Sequence, residues 1–198
     1  MVEHTVKSFS DQLETLSSTV AQMGGLCEAQ LADAIDAIVK RDTALAEQVV
    51  AGDGRVDQLQ ALAESQAIKL LALRQPMAVD LRETLAAIKC VGELERIGDM
   101  AKNIAKRAIV LNREPPIRLT QGLARMGRQA LSQLKMVLDA YSDRDPTAAQ
   151  TVWRQDGEVD EIYNSLFREL LTYMMEDPRT IGLCTHLLFI AKKSGTDW

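Results

Sequence analysis

The sequence predicts an all-α protein built from two tandem three-helix bundles. Apolar residues recur every three to four positions along almost the whole chain, which is the period of an amphipathic helix. Aromatic residues make up only 4% of the chain, and the apolar residues are mostly Leu, Ala, Ile, Val and Met, a composition that suits helix packing. The clearest linker is Glu114-Pro115-Pro116, and a long internal repeat relates the segments on its two sides.

Six helices are predicted, three on each side of this linker. In chain order they span about residues 6–40, 43–73, 76–111, 119–141 and 146–175, and from 179 onwards. Pro76, Pro146 and Pro178 stand at or just before a predicted helix start, where a missing backbone N–H costs nothing. The predicted domains are residues 1–113 and 117–198.

The internal repeat has an offset of 103 residues, because residues 23–57 align without gaps on residues 126–160. In this alignment 14 of 35 positions are identical, several times the number expected by chance. Both copies contain Met-Gly, Gln-Leu, Arg-Asp and the motif Asp-Gly-x-Val-Asp at matching places. A period this long indicates a duplicated domain and not a solenoid.

Charge and hydropathy exclude several classes of protein. The chain has 23 basic and 28 acidic residues, a net charge of -5, and lacks the basic face that a duplex DNA binder needs, so no direct nucleic-acid partner is expected. No apolar run is long enough to span a membrane, and the polar N-terminus is unlike a signal peptide. The predicted location is the cytoplasm. Cys27, Cys90 and Cys184 have no metal or redox spacing and are predicted to be buried free thiols.

Three pairs of carboxylates stand four residues apart on predicted helices. They are Asp53 with Asp57, Glu95 with Asp99, and Asp156 with Asp160. Like charges at this spacing destabilise an isolated helix by a few tenths of a kcal/mol, and each pair adjoins a glycine that costs about 1 kcal/mol more. Two interpretations remain open. The carboxylates are solvated surface groups, or antiparallel second and third helices set four of them around a hard cation such as Mg²⁺, Mn²⁺ or iron.

The stretch from Glu95 to Ala105, which reads Glu-Arg-Ile-Gly-Asp-Met-Ala-Lys-Asn-Ile-Ala, closely resembles the PhoU family. The upstream Asp80-Leu81-Arg82 belongs to the same signature, and the resemblance covers about residues 10–192. It implies a fold of two similar three-helix bundles. It also implies multinuclear metal clusters, and the family motif maps onto Asp53, Asp57, Glu95 and Asp99. In the second copy it maps onto Asp156 and Asp160.

The resemblance further implies a regulatory protein that is not an enzyme. Its expected cofactor is a divalent or trivalent metal, either iron, zinc, manganese or magnesium. Its expected partners are the ATPase subunit of the phosphate transporter and the phosphate-sensing histidine kinase. The implied function is repression of phosphate uptake and of phosphate-starvation genes when phosphate is plentiful.

Two alternatives belong to other functional classes. A metal-dependent hydrolase would use the same carboxylates, but the sequence places no His or nucleophile beside them. A helical signalling module without metal would need none of them. His186 on an apolar helix is predicted to be a core or boundary residue, and Trp153 a packing residue or a partner contact. Arg82 and Arg96 are expected to pair with nearby carboxylates.

The sequence departs from the family pattern at its end, where Lys193-Ser194-Gly195-Thr196-Asp197-Trp198 replaces a second Asn-Leu-Glu-Arg-Ile-Gly-Asp. Inserting one A after the first codon of AAG-AAT-CTG-GAA-CGG-ATT-GGC gives AAG-AAA-TCT-GGA-ACG-GAT-TGG, which encodes the observed tail from Lys192. We therefore expect a one-base frameshift and an incomplete second bundle. The uncovered apolar faces of the fourth and fifth helices then favour a homodimer.

Overall fold

The computed structural model describes residues 2–74, 79–116 and 120–195, and these form eight α-helices and one 3₁₀ turn, Pro178–Thr180. The helices are α1 (Val2–Val39), α2 (Thr43–Gly52), α3 (Gly54–Arg74), α4 (Val79–Leu111), α5 (Thr120–Ser142), α6 (Pro146–Arg154), α7 (Asp156–Glu176) and α8 (Ile181–Gly195). The prediction of an all-α protein is confirmed. The predicted helix starts at Pro76 and Leu119 lie outside the described residues.

The prediction of one continuous second helix is wrong, because the hydrogen-bond ladder is interrupted at Asp53, between α2 and α3. The chain nevertheless stays right-handed helical there, with φ -56° and ψ -41° at Asp53, and Val56 N donates to Asp53 O at 2.8 Å. The predicted fifth helix is divided in the same way at Gln155, between α6 and α7. Gly52 and Gly54, which have low helix propensity, flank Asp53, whereas the second copy has only Gly157 near its interruption.

Two tight loops repeat the same geometry at the sequence offset of 103 residues. Arg41 and Arg144 each adopt a left-handed backbone conformation, with φ 56° and 53°, which L-residues rarely adopt. The aspartate that follows each arginine caps the next helix: Asp42 accepts from Leu45 N, and Asp145 accepts from Thr147 N and Ala148 N. The repeat seen in the sequence is therefore also a repeat of backbone conformation.

Helix α1 packs against α2, α3 and α4, and helix α5 packs against α6, α7 and α8. The two groups meet where α1 crosses α5 and where α4 contacts α8, and one hydrophobic core runs through both. The largest fully buried side chains include Leu16, Met23, Leu31, Leu70, Ile104, Met126, Leu170, Leu187 and Ile190. The domain boundaries at 1–113 and 117–198 stay a prediction.

Where α1 crosses α5, each helix inserts a large side chain against a glycine of the other. Gly24 of α1 receives the side chain of Leu138, and Gly127 of α5 receives the side chain of Ile35. A Cβ at Gly127 would stand only 2.7 Å from Cδ1 and 2.8 Å from Cγ1 of Ile35. Both glycines and both large side chains are related by the offset of 103 residues, so the contact has an internal pseudo-twofold symmetry.

Candidate metal centre

The four carboxylates predicted for the first copy lie on neighbouring parts of the first helix group. Asp53 occupies the junction of α2 and α3, Asp57 lies in the first turn of α3, and Glu95 and Asp99 belong to α4. Helix α3 packs directly against α4. Asp53 is only 6% exposed, Glu95 is half-buried, and Asp57 and Asp99 are exposed. The cluster thus extends from the edge of the core to the surface.

The carboxylates are close enough to repel one another. The pKa of Glu95 is raised, first by burial and then by the charges of Asp99, Asp57 and Asp53, while Arg96 opposes the shift. Because folding raises this pKa, the folded state loses stability as the pH rises through the pKa of Glu95. A cation bound among these groups would offset the repulsion.

Gly98 allows α3 and α4 to approach closely beside this cluster. A Cβ at Gly98 would stand 3.1 Å from Cγ1 and 3.4 Å from Cγ2 of Val56, a side chain that is 1% exposed. Gly98 immediately precedes Asp99, and Val56 immediately precedes Asp57. In the structure this glycine therefore makes room for an apolar side chain from the facing helix, which brings the two acidic pairs toward each other.

We expect Gly98→Ala to destabilise the protein by about 1 kcal/mol relative to Gly92→Ala. Both glycines lie inside α4, so both gain the same helix propensity of about 1 kcal/mol from alanine. Only Gly98 faces a packed neighbour, since nothing lies within 4 Å of a Cβ at Gly92, and the β-branched Val56 has little rotamer freedom in a helix. Urea unfolding of the two variants measures the difference, and equal stabilities would contradict the close approach.

A lysine that the sequence analysis overlooked connects the acidic groups. Lys102 Nζ lies 2.5 Å from Asp53 Oδ2 and 3.4 Å from Asp99 Oδ1. The hydrogen bond to Asp53 is the main reason why the pKa of Lys102 is raised. The spacing of three residues between Asp99 and Lys102 is visible in the sequence as a helical pair. The contact with Asp53, 49 residues away, is not.

The core beneath the cluster contains neutral polar groups. Cys27 is fully buried, its thiol donates to Leu94 O at 3.2 Å, and burial raises its pKa to about 12. The predicted free thiol is thus present, and it stays protonated at neutral pH. Gln30 is 6% exposed, and its Nε2 lies 3.3 Å from the position of a Cβ at Gly52. Gly52 therefore leaves space for this amide beside the Asp53 junction.

The second copy is less completely described. Asp160 of α7 is exposed, whereas the side chain of Asp156 lies outside the described residues. The tail that suggests a frameshift, from Lys193 to Trp198, also has its side chains outside the described part of the chain. A counterpart to the Gln30 amide is present, because Gln133 Nε2 donates to Gln155 O at 3.0 Å.

The donor set is chemically suited to a hard cation, because it consists of carboxylate oxygens. Within residues 2–74, 79–116 and 120–195, however, no three His, Cys, Asp or Glu side chains stand ready as a ligand group. The Lys102 ammonium instead lies between two of the carboxylates. The assignment of Asp53, Asp57, Glu95 and Asp99 as ligands stays a prediction.

Other residues singled out in the sequence take ordinary positions. His186 is half-buried at the contact of α8 with α4, where its Nδ1 lies 3.2 Å from Arg107 Nη1. Trp153 is 78% exposed, so the packing interpretation of this residue is wrong. Arg96 pairs with Glu93 at 3.1 Å, as expected for an arginine beside carboxylates, and Arg82 is exposed. In the described part of the chain, no helix is both long and apolar enough to cross a membrane.

Comparison with known proteins identifies relatives along nearly the whole chain. The family model of the PhoU domain matches residues 20–108 and again residues 123–194. A phosphate-specific transport system accessory protein PhoU homolog from Caulobacter vibrioides is 57% identical over 193 residues, which cover 97% of this chain and 84% of that protein. A homolog of the same description from Rhizobium meliloti is 47% identical over 190 residues, covering 96% and 80%.

Solved structures agree with these matches. The crystal structure of PhoU from Pseudomonas aeruginosa superposes with a TM-score of 0.92 at 36% sequence identity, covering 96% of this chain and 91% of that one. A phosphate transport system regulatory protein PhoU from Streptococcus pneumoniae shares the fold, with a TM-score of 0.80 at 24% identity, covering 96% and 92%. The two matches of the family model begin 103 residues apart, at residues 20 and 123, which is the offset of the internal repeat.

Proposed function

Because this chain belongs to the PhoU family, we propose that it is an accessory protein of a phosphate-specific transport system, acting there as a negative regulator without enzymatic activity. The observation that carries the proposal is the 57% identity to a protein of that description over 97% of the chain. The finer function is that of an adaptor in the cytoplasm. It would contact the ATPase subunit of the transporter and the phosphate-sensing histidine kinase, and so reduce phosphate uptake and phosphate-starvation signalling.

The architecture suits an adaptor. Long helices with one continuous core present extended, rigid faces, and rigid faces bind partners with little cost in conformational entropy. Binding of the intact chain to the purified ATPase subunit and to the cytoplasmic part of the kinase is the direct test. We expect binding to both and none to the ATPase subunit of an unrelated transporter. Failure to bind either cognate partner would contradict the adaptor function.

We also propose that Asp53, Asp57, Glu95 and Asp99 bind a divalent or trivalent metal. Three features support a cation at this position: the carboxylate chemistry, the pKa of Glu95, which is raised by burial and then by the neighbouring carboxylates, and the cationic group already present between Asp53 and Asp99. Such an ion would neutralise the cluster and tie α3 to α4. A second site at Asp156 and Asp160 is the corresponding proposal for the other copy.

The expected homodimer is a separate proposal. Large apolar side chains are exposed on α7 and α8, and exposed patches of this kind favour self-association. They are Phe167, Leu171, Tyr173, Met175, Ile181 and Phe189. Light scattering on the purified chain distinguishes a dimer from a monomer.

A further inference from the structure

Asp53 is a buried carboxylate whose charge is compensated by a side chain from another helix. Its side chain is 9% exposed, and it receives the Lys102 ammonium at 2.5 Å from α4. An ionised carboxylate so far from water is costly unless it is paired and hydrogen-bonded. The pair therefore allows Asp53 to remain at the junction of α2 and α3 when no metal is present.

Lys102 places a cationic group between two of these carboxylates. Its Nζ is shared unequally between Asp53 Oδ2 at 2.5 Å and Asp99 Oδ1 at 3.4 Å, so it spans both helices that carry the acidic pairs. The nearby Arg96 is turned toward Glu93 at 3.1 Å. The ammonium thus pairs with two of the four carboxylates, while Glu95 still experiences the charges of Asp99, Asp57 and Asp53.

We propose that Lys102 is a displaceable internal counter-ion, and that a metal ion enters the cluster only by displacing its ammonium group from Asp53. This inference rests on the metal site proposed above. Both cations need the same carboxylate oxygen, and two positive charges at such short range repel each other. Occupancy by lysine and occupancy by metal are then two exclusive states of one site.

The Lys102 side chain can move away from Asp53 into solvent. Its side chain is 29% exposed, so the flexible four-carbon stem already reaches solvent. An ammonium is strongly hydrated, and water receives it readily once the carboxylate is taken by a metal. Competition between the Lys102 ammonium and the metal ion lowers the apparent metal affinity. Because the lysine pairs with Asp53 when no metal is bound, the protein stays folded without metal. Small domains whose folding depends on their ion lack such a substitute.

Lys102→Met tests the proposal, with Lys106→Met as the matched control on the same helix. Both variants remove one ammonium from α4, and Lys106 is exposed. Metal-stripped proteins are titrated with Mn²⁺ and with Zn²⁺ by calorimetry, and melted in EDTA and in excess metal. We expect Lys102→Met to bind at least tenfold more tightly than the wild type, to melt at a lower temperature in EDTA, and to gain more from added metal. Lys106→Met should match the wild type in all three.

Lys102→Arg is the second variant, chosen because it keeps the charge and therefore the pairing of Asp53. It should melt like the wild type in EDTA and bind metal no more tightly than the wild type. If Lys102→Met binds metal equally or more weakly, or melts unchanged in EDTA, the counter-ion proposal is overturned while the metal site stands. If neither the wild type nor either lysine variant binds these metals, the metal site itself is wrong and the displacement proposal falls with it.

Discussion

If the proposed metal site is correct, a chain carrying both Asp53→Asn and Glu95→Gln is expected to bind metal with an apparent affinity at least about 100-fold below that of the wild type. Even outer-shell substitutions at metal sites cost about 10–100-fold, and these two changes remove proposed ligands from the α2–α3 junction and from α4. The amides keep the shape of the side chains but not the negative charge that a hard cation requires. Metal analysis of the purified protein and calorimetric titration measure the loss.

The matched control is Asp11→Asn with Glu14→Gln, which removes the same two charges from exposed positions of α1. It should retain the metal content of the wild type. When metal-free, the double variant should also lose less stability than the wild type as the pH rises through the pKa of Glu95, because it removes this carboxylate, whose pKa is raised first by burial and then by neighbouring charges. Unchanged metal content in the cluster variant would show that the ligands lie elsewhere.

Gly127→Ala is expected to lower the free energy of unfolding by up to about 2 kcal/mol. Overpacking of a filled core costs about 1–3 kcal/mol, and the better helix propensity of alanine returns about 1. The new methyl group would lie 2.7, 2.8 and 3.2 Å from Cδ1, Cγ1 and Cγ2 of Ile35. Because Cγ1 and Cγ2 are also too close, moving the terminal Cδ1 of the isoleucine side chain does not relieve the clash. Denaturant unfolding measures the loss.

Two controls separate overpacking from a general intolerance of α1 and α5 to alanine. Gly25→Ala should be stabilising by about 1 kcal/mol, because nothing lies within 4 Å of a Cβ there. Adding Ile35→Val to Gly127→Ala removes the most crowded atom, so the double variant should lose less than the sum of the two single losses. If the losses in unfolding free energy of the two single variants simply add, Ile35 does not pack against Gly127 as the structure shows.

The helical class, the repeat and the acidic pairs were predictable because they are local patterns with fixed periods. The interruption at Asp53 was not, since the backbone there stays right-handed helical and Gly-Asp-Gly alone does not say whether a helix is broken or only weakened. The role of Lys102 was not predictable for a different reason. Its decisive contact joins residues 49 positions apart, and the packing of α3 on α4 that brings them together is a tertiary property.

The glycines illustrate the same limit. The sequence aligned Gly24 with Gly127 as identities of a duplication, but it gave no sign that each would accept a side chain from the opposite copy. The sequence showed that Gly98 adjoins an acidic pair, but only the structure shows that Val56 fills the space beside it. A glycine in a helix indicates that another group approaches the backbone closely, and only the tertiary structure identifies that group.

The paired insertion of Ile35 and Leu138 has a mechanical consequence for the two halves of the protein. Sliding α1 along α5 by any fraction of a turn would withdraw both side chains together, so the axial register between the two halves is fixed twice. The two contacts lie eleven residues apart on each helix, which is about 16 Å at a rise of about 1.5 Å per residue, so rotation of one helix about the other would disturb them as well. The two halves of the protein are therefore held both in one axial register and at one crossing angle.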